Sequence, residues 1–143
     1  MAVMDSAGGT ADDTIRRTLK LVFGLVPIVA GLDKFTDLLV HWDKYLAPPI
    51  AHLLPMTPRF FMHLVGVIEI VAGVGVLLTP WTRLFAWIVA LWLLGIALNL
   101  VMGGYYDIAV RDIVMAISAF CLARLSASGV TRQTWVKPGT AAP

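Results

Sequence analysis

The sequence holds a single cysteine, Cys121, so no disulfide can form within the chain. Its alanine- and leucine-rich surroundings suit a small packing residue without chemistry of its own. Charge is scarce: Asp, Glu, Lys and Arg make up 14% of the 143 residues, against roughly a quarter in a soluble domain. Histidine is scarcer still. His41, His52 and His63 have no partner at i+3 or i+4, and only His63 lies inside an apolar run. That excludes a helical metal pair and gives haem no facing ligands, so no metal site is expected. The sequence contains no CxxC, no phosphate-cradling glycine loop and no nucleophile elbow. Gly66–Gly73 is not a dinucleotide loop, because no strand precedes it. Catalytic residues are therefore unassigned. The basic residues are scattered, which argues against a nucleic-acid partner. No basic region leads directly into an apolar stretch with a small-residue cleavage site, so a signal peptide is not expected.

What the sequence has in excess is hydrophobic side chains, 59% of residues, with a mean hydropathy of +0.83. A small domain has too much surface for its volume to hide that surplus from water. Lipid must be the solvent for much of it. The pattern predicts an all-α integral membrane four-helix bundle with spans at about 16–40, 60–78, 84–102 and 107–124. The first span has a clean apolar stretch only from Leu21 to Leu32. At ~1.5 Å per residue this reaches about 18 Å, short of the ~30 Å hydrocarbon core. That helix should run on through Asp33, Lys34 and Asp37, shielded by its neighbours, with a kink at Pro27. Pro58 opens the second span and Thr79-Pro80 closes it, and Gly103-Gly104 breaks the third. Residues 1–15 read as a polar cytoplasmic N-terminus, 16–125 as the membrane domain, and 126–143 as a flexible cytoplasmic tail. Between the first two spans, Trp42, Tyr45 and four prolines among leucines indicate a segment lying at the membrane interface.

Orientation follows from the basic residues in the flanks. Arg16, Arg17, Lys20, Arg83, Arg124, Arg132 and Lys137 fall on one side, and Lys44 and Arg59 on the other. Both termini are thus expected in the cytoplasm.

Charged side chains in hydrocarbon cost at least ~2.5–3.5 kcal/mol each, so they face the protein interior and find partners. Gly24, Pro27, Gly31 and Lys34 fall on one stripe of the first helix, and Gly66, Glu69 and Gly73 on one stripe of the second. Small residues on a stripe mark close helix contact. Lys34 is expected to pair with Glu69, and Asp33 or Asp37 with Arg111. Asp33, Lys34, His63, Glu69, Asn99, Tyr105, Asp107, Arg111 and Asp112 all fall in the outer half of the bundle. They form a candidate polar cluster, either a structural lock or a pocket for a quinone head group, another redox-active molecule or a partner helix.

Four phrases, GLVPIVAGLDKF (24–35), YLAP (45–48), GVIEIVAG (66–73) and GYYDIAVRD (104–112), give the chain a resemblance to the DoxX-like family of small bacterial membrane proteins. The resemblance covers roughly Arg16 to Ser126. It implies a four-helix, multi-pass protein of the bacterial inner membrane, with relatives tied to quinone-linked thiosulfate oxidation or to oxidative and thiol stress. The paired cysteines of direct thiol exchange are lacking here. The leading expectation is a non-catalytic accessory subunit of a redox or respiratory complex, with the bilayer and other membrane subunits, or copies of itself, as partners. No cofactor of its own is expected beyond a bound quinone or lipid. A quinone-interacting oxidoreductase subunit is the alternative, and a small proton-coupled transporter ranks last.

Overall fold

The computed structural model describes the backbone of residues 2–133 and the side chains of 9–127. The described residues form five α-helices and one 3-10 turn, without strands. They are α1 (Ala2–Thr36), a 3-10 turn (Trp42–Tyr45), α2 (Pro48–Leu53), α3 (Pro58–Leu78), α4 (Thr82–Met102) and α5 (Tyr106–Gln133). Two of them, α3 and α4, are long and apolar enough to cross a membrane. Each has 21 residues, about 32 Å of helix against a ~30 Å hydrocarbon core.

Helix ends follow local chemistry. At the start of α3, Thr57 caps the Phe60 N–H with its side chain and Pro58 occupies the first turn, where a missing N–H is harmless. Gly104, at φ +82°, supplies the left-handed residue that turns α4 into α5. The links from α3 to α4 and from α4 to α5 are three residues each, so these neighbours are antiparallel.

Three boundaries differ from the sequence expectation. Helix α1 begins at Ala2 rather than near Arg16, and about four turns along it Asp13 contacts Arg16 at 2.6 Å and Arg17 at 2.8 Å. It stays helical through Pro27 and stops at Thr36 instead of Val40. The physical reason is Asp33, whose carboxylate takes the N–H groups of Leu38, Leu39 and Val40, while Asp37 turns left-handed at φ 50°. Helix α5 continues to Gln133, so Ser126–Gln133 is helical where a flexible tail was expected, no proline occurring before Pro138. The rest of that tail, 134–143, lies outside the described residues.

Packing joins α1 to α3 and α4 to α5, with lighter contact between the two pairs. The α1–α3 seam is built on glycine. A β-carbon on Gly31 would lie 2.5 Å from the Gly66 carbonyl oxygen, and one on Gly73 would lie 2.5 Å from that of Gly24. The backbones therefore touch at two levels, Gly24 against Gly73 and Gly31 against Gly66. Alanine does the same for α4 and α5. Ala86 and Ala90 meet Ala119, Leu122 and Ala123 in a core completed by Phe23 and Val76. Large apolar side chains point the other way on all four long helices, among them Leu25, Val71, Leu91 and Val114.

Candidate functional site

Buried charge lies between the middle of the bundle and the 37–57 connector. Lys34, Glu69 and Asp112 retain 4%, 8% and 7% of their accessible surface. Lys34 lies about 3 Å from the end of α1, Glu69 about 16 Å into α3 and Asp112 about 9 Å into α5, at ~1.5 Å per residue.

Lys34 Nζ donates to Glu69 Oε2 at 2.6 Å, the pairing that the glycine stripes predict. The antiparallel seam explains how they meet. With Gly31 facing Gly66, the two α-carbons are offset by about 9 Å along the axis. Helical side chains lean toward their own N-terminus, so Lys34 and Glu69 lean toward each other. Gly66 leaves the passage open, since a β-carbon there would sit 3.2 Å from Lys34 Cβ.

Above the pair, the 3-10 turn folds back over the end of α1. The Trp42 ring covers Lys34 Nζ at 3.7 Å from its centroid, a cation–π contact. The Trp42 indole N–H donates to Asp33 Oδ2 at 2.7 Å. Asp33 thus serves backbone N–H groups and the indole, not a cation. Asp37 lies 3.4 Å from Arg59 and 4.0 Å from His41. Neither aspartate reaches Arg111, which is exposed; the expected pairing is therefore corrected. A helical turn at α5 presents one residue inward and its neighbour outward, and Asp112 takes the inward place beside Arg111.

Asn99 has a positional role. Its amide donates to the Tyr45 carbonyl at 2.7 Å, and its oxygen accepts from the Ala47 N–H at 2.9 Å, clamping the connector to α4. Tyr105 closes the same corner, donating from its hydroxyl to the Lys44 carbonyl at 3.0 Å and meeting Tyr45 edge-on at 4.9 Å. His63 stacks on Phe35 at 5.0 Å, its Nε2 buried without a partner. Asp107 is exposed. The structure thus brings Asp33, Lys34, Glu69 and Asp112 into the interior, sets Asn99 and Tyr105 under the connector, and leaves Asp107 and Arg111 outside.

Sequence reasoning missed Trp42 as the cover of Lys34 and Arg59 as the partner of Asp37. It also missed the Trp92 indole, which approaches the Glu69 carboxylate short of hydrogen-bond geometry. A tryptophan in a proline-rich connector reads equally well as a lipid anchor, so spacing carried no signal.

A cavity of about 40 Å³, lined by Lys34, Asp37, His41, Trp42 and Arg59, opens above the ion pair. It has room for water, well below the ~300 Å³ of a small-molecule site. Among the described residues, no three His, Cys, Asp or Glu side chains gather as metal ligands.

The sequence model of the DoxX family matches residues 17–102. The chain belongs to the DoxX family. It is thus a membrane protein, and the matched DoxX region takes in Lys34, Glu69 and Asn99 while ending short of Asp112. No curated protein and no solved structure matches the chain.

Proposed function

We propose that this DoxX-family chain is a small accessory subunit of a redox or respiratory complex in a bacterial inner membrane. It crosses four times, with both termini in the cytoplasm, the connector lying at the outer interface. Support for four crossings comes from α1 and α5, which carry exposed apolar residues from Leu21 to Phe35 and from Val110 to Phe120 while turning Lys34 and Asp112 inward. Lipid accounts for that inside-out distribution. One observation carries the accessory reading: Lys34 and Glu69 neutralise each other beneath Trp42, with about 40 Å³ of free space above them. A reaction chamber needs more room and a group left free to react. Purification from native membranes in mild detergent tests the reading. Co-purifying membrane redox subunits are expected; recovery as a lone monomer overturns it.

A quinone-interacting subunit is the second reading, favoured by the cavity that leads down to Lys34. A quinone ring would have to take the place of Trp42 on the ammonium. Quinone titration of wild type against Glu69→Gln tests this, and unchanged binding and turnover would remove the idea.

A further inference from the structure

Across residues 21–36, 60–78, 84–102 and 108–123 of the four long helices, the exposed side chains include one charge, Arg111. Among the described residues no hydrogen bond, ion pair or ring contact engages it. Val110, Ile113 and Val114 around it are exposed too, so the guanidinium leaves α5 through an apolar face. A bare cation in hydrocarbon is costly, and the position of Arg111 supplies the remedy. It stands five residues into α5, about 8 Å from the start of the helix. Helical side chains lean toward their own N-terminus. The Arg111 side chain therefore rises toward the head groups on the connector side, with its methylenes left among acyl chains. Tyr106, exposed at the start of α5, suits that level as the interface. Asp107 lies in the first turn, exposed and four residues before Arg111. It is on the same side of the helix and about 6 Å nearer to water, and no ion pair joins the two. This face of α5 thus presents a cation below and an anion above. A zwitterionic head group presents the reverse order, phosphate next to glycerol and ammonium farther out.

We propose that Arg111 and Asp107 form a binding site for a zwitterionic phospholipid that carries a primary ammonium, the chemistry of phosphatidylethanolamine, in the leaflet on the connector side. The planar guanidinium fork donates to the phosphate oxygens, and the ammonium donates to the Asp107 carboxylate. A quaternary ammonium has no N–H to donate, so a choline head group satisfies Arg111 but not Asp107. The order of charge with depth favours lipid over a partner helix, which would have to bring its own carboxylate into hydrocarbon to meet Arg111. The site lies outside the Lys34–Glu69 pair and goes beyond the accessory role. It rests only on the reading that α5 crosses the bilayer.

The full chain, delipidated in mild detergent, is titrated with phosphatidylethanolamine or phosphatidylcholine, and native mass spectrometry reads the lipid-bound species. Wild type should hold its first phosphatidylethanolamine more tightly than its first phosphatidylcholine. Arg111→Gln should weaken both, roughly fivefold. Asp107→Asn should erase the preference while keeping phosphatidylcholine bound. Both side chains are exposed, so each variant should unfold at the wild-type temperature. Equal affinity for the two lipids in wild type, or unchanged binding in Arg111→Gln, overturns the site. Displacement of the lipid by excess inorganic phosphate also overturns it, because the site would then be one for a free anion. Photocrosslinking from Val114→benzoylphenylalanine in native membranes should label lipid; capture of a protein there gives the face to a partner and overturns the lipid site. Amide hydrogen exchange in phosphatidylethanolamine nanodiscs separates the remaining failures. A protected α5 without lipid preference overturns the site alone, whereas a freely exchanging α5 overturns the four-crossing reading and the site with it.

Discussion

A β-carbon on Gly31 would fall 2.5 Å from the Gly66 carbonyl oxygen, and one on Gly66 would fall 2.7 Å from that of Gly31. The contact is reciprocal and involves backbone on both sides, so neither helix can yield by moving a side chain. It also fixes the separation across which Lys34 and Glu69 meet. Gly31→Ala or Gly66→Ala should force α1 from α3 at a cost of about 1–3 kcal/mol. Thermal unfolding in detergent should show a lowered Tm for each. Gly95, where an added β-carbon would meet nothing within 4 Å, should tolerate alanine as the control.

The ion pair should behave asymmetrically in a double-mutant cycle. Removing one partner, by Lys34→Met or Glu69→Gln, breaks the buried pair and should cost up to roughly 3–5 kcal/mol. The double variant Lys34→Met with Glu69→Gln should recover most of that loss. Denaturation of the four proteins in one detergent checks it; additive losses would show that the pair is not a unit.

Asp33 accepts from Leu38, Leu39, Val40 and the Trp42 indole at distances of 2.7 to 3.3 Å. Asp33→Ala strands all four donors, each worth about 1–3 kcal/mol if left unsatisfied. The connector should loosen first. Limited proteolysis between residues 37 and 57 should accelerate markedly, with Trp42 fluorescence shifting as its cover over Lys34 is lost.

Asn99→Ala should release the same connector from its other anchor, since both bonds to Tyr45 and Ala47 disappear. The expected loss is about 1–3 kcal/mol. Asn99→Asp should fare no better, because a carboxylate keeps the Ala47 N–H but cannot donate to Tyr45. Hydrogen exchange at Ala47 distinguishes the two variants.

At the N-terminal end of α1, outside the proposed spans, the side-chain hydrogen bond from Arg16, aided by Arg17, holds the Asp13 carboxyl below its ordinary value of 3.8. A lowered carboxyl contributes stability that is complete above the ordinary value and is lost as pH falls through the folded one. Helicity at this end should fray in acid, and Arg16→Ala should return the Asp13 titration toward 3.8. Carboxyl NMR of labelled aspartate reads both effects.

Much of the architecture was legible because it rests on spacing. Gly24 and Gly31 against Gly66 and Gly73 mark two faces by helical period alone, and that period puts Lys34 and Glu69 beside the seam. Helix ends at Pro58 and Gly103-Gly104 carry their own chemistry. The end of α1 was not legible in this way. Asp33 reads as an ion seeking a cation, and only the returning connector shows that backbone N–H groups satisfy it. Arg111 and Asp112 are adjacent, so periodicity alone leaves open which of them α5 turns inward.

Sequence by itself determined that lipid-suited helices pack through glycine and that charges collect toward one end, because composition and a 3.6-residue period are local properties. Tertiary structure decided which charges meet. It chose backbone for Asp33 and Arg59 for Asp37, where spacing had offered Arg111 to either, and among the described residues it left Asp112 without a donor. Those choices depend on the offset between antiparallel helices and on where a connector folds back, and both are distances across space that no single stretch of chain encodes.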